Sequence, residues 1–342
     1  MADAEPEVDA AASAAAAGDA DAPRSQNASG GSDGGTGGLD GAAATAASAT
    51  ASAGPAGEGT TVPLTQELIA KSLSLIARTG NGLAHAYTRF ELHGAGVTTL
   101  DNLEKYPHVR YVDCSDNALV SIDALAGLEY LLAFDAHGNK LKTVSPLLEK
   151  KKYLQHVNLA KNQLAEFKIQ SWPIAAWLNL NENQLKEVTL EDYPELTHFE
   201  ARGNKLKDLG KLNTPKLRRL YMAANEITTL TGLETKPELQ ILHLRGNKLE
   251  VLDGLTDKLT NLTYLNLRAN RIAAWPEVEK LKVLRALRIL SLAENPIDQT
   301  EGYRLEVIMR LPKLDKLDKD PISPEEREDA LASIAEAQDP AQ

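Results

Sequence analysis

From residue 87 to about residue 300 the chain repeats one arrangement: apolar-x-x-apolar-x-apolar-x-x-Asn-x-apolar. Nine copies align on Asn117, Asn139, Asn162, Asn183, Asn204, Asn225, Asn247, Asn270 and Asn295, at intervals of 22, 23, 21, 21, 21, 22, 23 and 25 residues. LQILHLRGNKL (239–249) and LTYLNLRANRI (262–272) are the clearest copies. A tenth, YTRFELHGAGV (87–97), precedes them with Ala95 where the asparagine should stand. Within each copy the central apolar-x-apolar triplet alternates like a strand, so its two apolar side chains point one way and their neighbours the other. The chain then turns inward at the asparagine, whose amide can satisfy buried backbone groups. One such unit cannot enclose its own apolar face, but stacked neighbours bury a continuous core. The asparagines are therefore structural. Cys114, at an inward apolar position, reads as a small core residue rather than a nucleophile.

The pattern resembles the leucine-rich repeat, so the expected fold is α/β. It is a solenoid of about 22-residue repeats with a curved parallel sheet, closed by a helical N-terminal cap and a C-terminal cap. TQELIAKSLSLIAR (65–78) sets Leu68, Ile69, Leu73 and Ile76 at helical intervals, with Gly80 as a stop. After Asn295, YRLEVIMRLPKLDKLDK (303–319) carries a short apolar face of Leu305, Ile308 and Leu311, ended by Pro312. Ser323-Pro324-Glu325-Glu326 combines an N-cap, a first-turn proline and a capping glutamate, predicting a charged helix over about 324–337. Its alanines and acids make a weak core face, so it is expected to project or to dock elsewhere. Two places depart from the repeat. Lys168, Trp172 and Pro173, with Ala175 for the first leucine, put uniform curvature in question between Asn162 and Asn183. Glu149-Lys150-Lys151-Lys152 reads as a solvated convex edge.

Composition divides the 342 residues further. The formal charge of -11 resolves into -8 over residues 1–62, +3 over 63–317 and -6 beyond. Residues 1–62 are rich in alanine and glycine, with nine acids against one base, Arg24. Such a segment buries too little apolar surface to offset its chain entropy. The expected organisation is a disordered acidic leader (1–62), a helical cap (63–86), the solenoid (87–300), a C-terminal cap (301–319) and an acidic helix and tail (320–342). The single cysteine allows no internal disulfide and no thiolate zinc cage, which points to a reducing, intracellular setting. No run approaches the roughly 18 apolar residues of a membrane span. The acidic opening MADAEPEVDA is unlike a secretory or mitochondrial signal.

Candidate chemistry lies on the outward strand positions, six, four and two residues before each asparagine. Five of the seven histidines fall there: His93, His137, His156, His198 and His243. They share columns only two strands apart, roughly 10 Å, or stand in different columns, too far for one zinc. The stronger feature is Arg202, Arg219, Arg245 and Arg268, interleaved with Trp177, Tyr221, His243 and Tyr264. Arginine and aromatic side chains on a rigid face are common protein-binding anchors. This half of the face is expected to grip an acidic or mixed-charge protein segment. The same side chains stack on RNA bases, but Asp113, Asp135 and Glu200 interrupt the field and both tails are acidic, which argues against nucleic acid. No catalytic constellation, cofactor site or small-molecule substrate site emerges.

RTGNGLAHAYTRFEL (78–92), HVRYVDCSDNAL (108–119) and YLLAFDAHGNKL (130–141) closely resemble the leucine-rich repeat-containing protein 23 family, with support from the 303–319 cap. The resemblance implies a structural component of radial spokes in motile cilia and flagella, with other axonemal spoke proteins as partners and no enzyme activity or cofactor. Stacking does not require TGNGLAHAY, so Asn81 and His85 join the partner-binding candidates. Similar repeats and caps also occur in phosphatase regulators, dynein light chains and spliceosomal proteins. A phosphatase-binding scaffold is thus the alternative, followed by an RNA-particle scaffold.

Overall fold

Residues 61–79 and 82–338 are described by a computed structural model, within a unit spanning Gly57–Gln342. The leader through residue 60, Gly80, Asn81 and residues 339–342 lie outside the described residues. The chain enters through helix α1 (Gln66–Ser72), then strands β1 (Leu73–Arg78) and β2 (His85–Glu91). Each repeat then contributes one three-residue strand: β3 (Tyr111–Asp113), β4 (Ala133–Asp135), β5 (His156–Asn158) and β6 (Trp177–Asn179). A convex pair, β7 (Thr189–Leu190) and β9 (Lys211–Leu212), flanks β8 (His198–Glu200). Then come β10 (Arg219–Tyr221), β11 (Ile241–His243), β12 (Tyr264–Asn266), helix α2 (Trp275–Lys280) and β13 (Ile289–Ser291). Helix α3 (Tyr303–Arg310), a hairpin of β14 (Lys316–Leu317) and β15 (Asp320–Pro321), and helix α4 (Pro324–Gln338) close the chain.

Thirteen strands form one sheet in chain order, parallel from β2 to β14 and antiparallel at both ends. The middle residues of neighbouring strands face each other without slippage: Val157, Leu178, Phe199 and Leu220 form consecutive rungs. Each is fully buried, and burying one such side chain contributes about 1.5–3 kcal/mol. A one-residue slip would turn the whole apolar set outward, which fixes the register.

The nine asparagines join the repeats. Asn225 Nδ2 donates to the carbonyls of Met222 and Ala223 in its own repeat, at 3.1 and 3.2 Å, and of Ala201 in the preceding one, at 2.9 Å. Its Oδ1 accepts from Leu206 N, also in the preceding repeat, at 3.1 Å. Asn139 makes the same four contacts with Ala136, His137, Cys114 and Leu119. Every described partner of these amides thus lies in the same repeat or the one before. That explains Ala95: the first copy has no earlier repeat to hold. At the far end Asp318, level with Ser291, closes the sheet differently, its Oδ1 accepting from Leu292 N and Ala293 N at 2.6 and 2.8 Å. Tyr303 donates to the other oxygen of Asp318 at 2.7 Å, and burial pushes the Tyr303 hydroxyl's pKa well up.

The N-terminal cap differs from the helix expected over 65–78. Only Gln66–Ser72 is helical, N-capped by Thr65 Oγ1 accepting from Leu68 N at 3.3 Å. The second half is strand β1, paired antiparallel with β2. Pairing covers backbone groups that the first parallel strand would otherwise present to water, and this tertiary gain overrides the local helical spacing. Ile76, expected on the apolar helix face, is 63% exposed. β1 carries a kink at Leu75, whose φ is 53° and whose carbonyl accepts from Thr88 Oγ1 at 2.8 Å.

The C-terminal cap follows the expected α3, with Ile308 and Leu311 buried, and adds the β14–β15 hairpin. Ser323 and Glu326 form the capping box of α4: Glu326 N donates to Ser323 Oγ at 3.2 Å and Ser323 N to Glu326 Oε2 at 2.8 Å. The first turns of α4 dock rather than project. Arg304 Nε bonds Glu326 at 2.5 Å, Arg327 Nη1 donates to the Pro312 carbonyl at 2.7 Å, and Ala330 is buried.

The irregular stretch before Asn183 leaves the sheet register intact. Trp172 fills it, fully buried, its Nε1 donating to the Leu148 carbonyl at 2.9 Å and its ring edge-on to Phe134, Phe167 and Tyr193. The reading of Glu149–Lys152 as a solvated edge fails at Lys151. Its side chain is buried and Nζ donates to the carbonyls of Ala126 and Leu128, both at 2.7 Å. The ammonium bridges two carbonyls of the preceding turn, and burial pushes its pKa down to about 8.

Replacing Asn225 by alanine removes one donor from each of three carbonyls, which keep Asn247, Asn204 and Gly203 N as partners, and orphans the Leu206 N–H across a repeat junction. The expected loss is about 2–4 kcal/mol, read as a lower urea midpoint. Gln184→Ala, on the exposed surface, serves as the control and should leave the midpoint unchanged.

Candidate interaction site on the concave face

The outward triplet positions form three rows. The middle row reads Asp113, Asp135, Asn158, Asn179, Glu200, Tyr221, His243, Asn266, Ser291. Toward the N-terminus this row is acidic and knitted to itself. His137 Nδ1 meets Asp135 Oδ1 at 2.8 Å, Asn158 Nδ2 donates to Asp135 Oδ2 at 2.8 Å, and His93 Nδ1 lies 3.2 Å from Asp113 Oδ1. Among the described residues no group of three or more His, Cys, Asp or Glu side chains could hold a metal. His93 and His137 pair with local carboxylates, whereas His198 Nδ1 meets Thr197 Oγ1 and His243 Nε2 meets Asn266.

Toward the C-terminus the face becomes aromatic across two rows. Tyr221, His243 and Tyr264 make a run of rings, with centroids 6.1 and 6.4 Å apart and the second pair nearly parallel at 14°. Asn266 Nδ2 donates to Tyr264 Oη at 3.3 Å and lies 3.0 Å from His243 Nε2. Burial raises the Tyr221 hydroxyl's pKa above its ordinary value. These three candidates form one half-buried cluster. Trp177 sits two strands earlier, its Nε1 held by Glu200 Oε1 at 3.1 Å, while Glu200 Oε2 accepts from Asn181 at 2.8 Å. The glutamate that interrupts the positive field therefore anchors the tryptophan.

The four arginines are not one patch. Arg202, Arg245 and Arg268 follow their strands, on the side of the asparagine turns, with Arg245 and Arg268 on adjacent repeats. Arg219 begins its strand in the opposite row, level with His198 and Ile241. Arg268 Nη2 bonds Glu294 Oε1 at 2.5 Å, which holds the Glu294 carboxyl below its ordinary pKa. The positive rim thus comes with its own counter-charge. His85, the N-terminal candidate, is exposed on β2 opposite Arg78, at the other end of the solenoid. Asn81 lies outside the described residues. Pattern reading placed the three rows correctly because they follow from strand alternation. It grouped the arginines by sequence order, and the row each occupies separates them.

A profile of the family described as leucine-rich repeat matches residues 194–339. The chain is 39% identical over 273 residues to leucine-rich repeat-containing protein 23 of Bos taurus, covering 79% of each chain. With its counterpart in Xenopus tropicalis it shares 42% over 289 residues, covering 79% of this chain and 77% of the relative. The chain belongs to the leucine-rich repeat-containing protein 23 family. Within that family setting, about a third of the chain also resembles three other proteins. These are human cilia- and flagella-associated protein 410 (35%, 45% of the relative), the dynein axonemal light chain 1 of Chlamydomonas reinhardtii (33%, 72%) and the U2 small nuclear ribonucleoprotein A' of Emericella nidulans (33%, 54%). Among solved structures, the functional domain of InlJ from Listeria monocytogenes superposes with a TM-score of 0.54 at 21% identity, covering 67% of this chain and 48% of that one, which bears on fold alone.

His198 offers a pH test of the face. Burial, reinforced by Arg219, pushes its pKa from 6.5 down to about 4. The fold therefore favours the neutral ring, and its stabilising share is complete above pH 6.5 and lost as pH falls toward 4. His198→Gln should flatten the fall in melting temperature between pH 6.5 and 4, relative to the unaltered chain.

Proposed function

We propose that this leucine-rich repeat protein is a non-enzymatic scaffold of the ciliary axoneme, a radial spoke component that supports motility. The observation that carries the reading is the 39–42% identity to leucine-rich repeat-containing protein 23 over about four fifths of the chain. Similarity to a cilia- and flagella-associated protein and to an axonemal dynein light chain supports the ciliary setting. The physical design agrees. A rigid ladder presents an acidic, histidine-paired stretch followed by an aromatic stretch rimmed with arginine, and holds both in fixed register. Such a face recognises extended or helical protein segments by spacing as much as by chemistry. Arg219, Tyr221, His243, Arg245, Tyr264 and Arg268 are the contacts proposed for an axonemal partner, with Trp177 and Arg202 at their edge. His85 and Asn81 belong to a separate N-terminal contact.

Detergent and salt fractionation of isolated cilia tests the assignment. The protein should stay with the axoneme after membrane and matrix are removed. Recovery in the soluble fraction with a phosphatase catalytic subunit would instead favour a regulatory scaffold, and recovery with spliceosomal particles an RNA-particle role. Arg245→Glu combined with Arg268→Glu should lower axonemal incorporation several-fold while leaving the melting temperature within a few degrees of the unaltered chain.

A further inference from the structure

The exposed large apolar side chains are unevenly placed. Ten of the thirteen among the described residues lie between Val62 and Tyr153, and only Val251, Val283 and Leu331 lie beyond. Much of the concentration is at the leading ends of the first strands. β2 begins four residues ahead of Arg89, the residue level with the first residue of β3, so the β1–β2 hairpin overhangs the short strands that follow. On this overhang Ile76 faces Tyr87, at 63% and 42% exposure, and Leu83 at the tip is 87% exposed.

The next three repeats carry a ring nine residues before their asparagines: His108, Tyr130 and Tyr153. They stack along the same leading edge, with centroids 6.2 and 6.1 Å apart and planes 7° and 24° from parallel. Tyr130 and Tyr153 are 40% and 45% exposed. The same position later in the solenoid holds Glu195, Lys216 and Glu238, which neutralise one another locally. Lys216 Nζ lies 2.7 Å from Glu195, and Glu238 lies 3.2 Å from Arg218. Charged pairs satisfy this position in three later repeats, and Ile174, Asn261 and Ala286 fill it in the others, so repeat stacking does not call for rings. The rings in the first three full repeats leave apolar edges in water that a partner would cover.

Charge indicates the kind of partner. Arg78 on the overhang and Arg110, between His108 and Tyr111, form no ion pair among the described residues. Arg89 lies over the Tyr111 ring at 5.7 Å. Arg89 also pairs with Glu91 at 3.0 Å, which leaves Arg78 and Arg110 as the guanidinium groups flanking the apolar edge without an ion pair among the described residues. We propose that the overhanging hairpin and the His108–Tyr130–Tyr153 edge form a second docking surface, distinct from the concave face, for an acidic amphipathic segment of a partner protein. Its leucine or aromatic side chains would cover the ring edges and its carboxylates would meet Arg78 and Arg110. Nucleic acid fits less well: the rings already stack on one another, leaving edges rather than open faces for bases. The inference does not depend on the ciliary assignment.

A displayed library of random peptides, selected against the full chain, tests it directly. Enriched peptides should combine acids with Leu, Phe or Tyr. Their affinity should fall at least tenfold for Tyr130→Ser combined with Tyr153→Ser, and again for Arg110→Glu. Glu195→Ala combined with Lys216→Ala, at the same position later in the solenoid, should bind like the unaltered chain. Circular dichroism melting of each variant separates lost binding from lost folding, and Leu83→Ser, at the exposed tip, supplies a variant that burial cannot confound. Failure to enrich acidic peptides, equal binding by the ring variants, or tighter binding of an oligouridylate probe would each overturn the proposal.

Discussion

The buried asparagine amide is the interaction on which the structure depends. A solenoid turn must bring peptide carbonyls into the core, where an unpaired polar group costs about 1–3 kcal/mol. One carboxamide meets this need with two N–H groups and an oxygen, touching its own turn and the one before. Leucine packing supplies most of the driving force but is non-directional. The amides turn it into a fixed repeat-to-repeat spacing. Curvature and register therefore follow from the ladder, and so does the placing of every side chain on the concave face.

The two ends show the same need met by other means. At the start, β1 folds back antiparallel and protects the sheet edge, with α1 covering the core beside it through Ile69. At the finish, the Asp318 carboxylate, an acceptor only, takes the N–H groups of Leu292 and Ala293 just after β13. Tyr303 holds that carboxylate in place by donating to its second oxygen. Lys151 shows a charged donor used the same way, its ammonium bridging the carbonyls of Ala126 and Leu128 in the preceding repeat.

How much was legible in the sequence follows from what repeats and what does not. The strands, the asparagine role, the buried Cys114 and the three outward rows could be read directly, because nine copies average out local noise. The capping box at Ser323 was equally readable, since its contacts are local. Leu73–Arg78 was not. Its spacing suits a helix, and only the presence of an open sheet edge makes it a strand. Lys151 was hidden in a charge run whose members differ only in the direction they face. The ring edge at His108, Tyr130 and Tyr153 sat outside the repeat template, though reading the chain at a fixed offset from each asparagine exposes it.

The backward-looking amides have a consequence for how the protein is made. Every described partner of each bridging asparagine lies in its own repeat or the preceding one. In a chain leaving the ribosome N-terminus first, each asparagine therefore finds its partners already translated, and the N–H it accepts from waits only for the next repeat. The growing solenoid exposes one unfinished edge at a time, and its closing repeat arrives with the carboxylate that seals that edge.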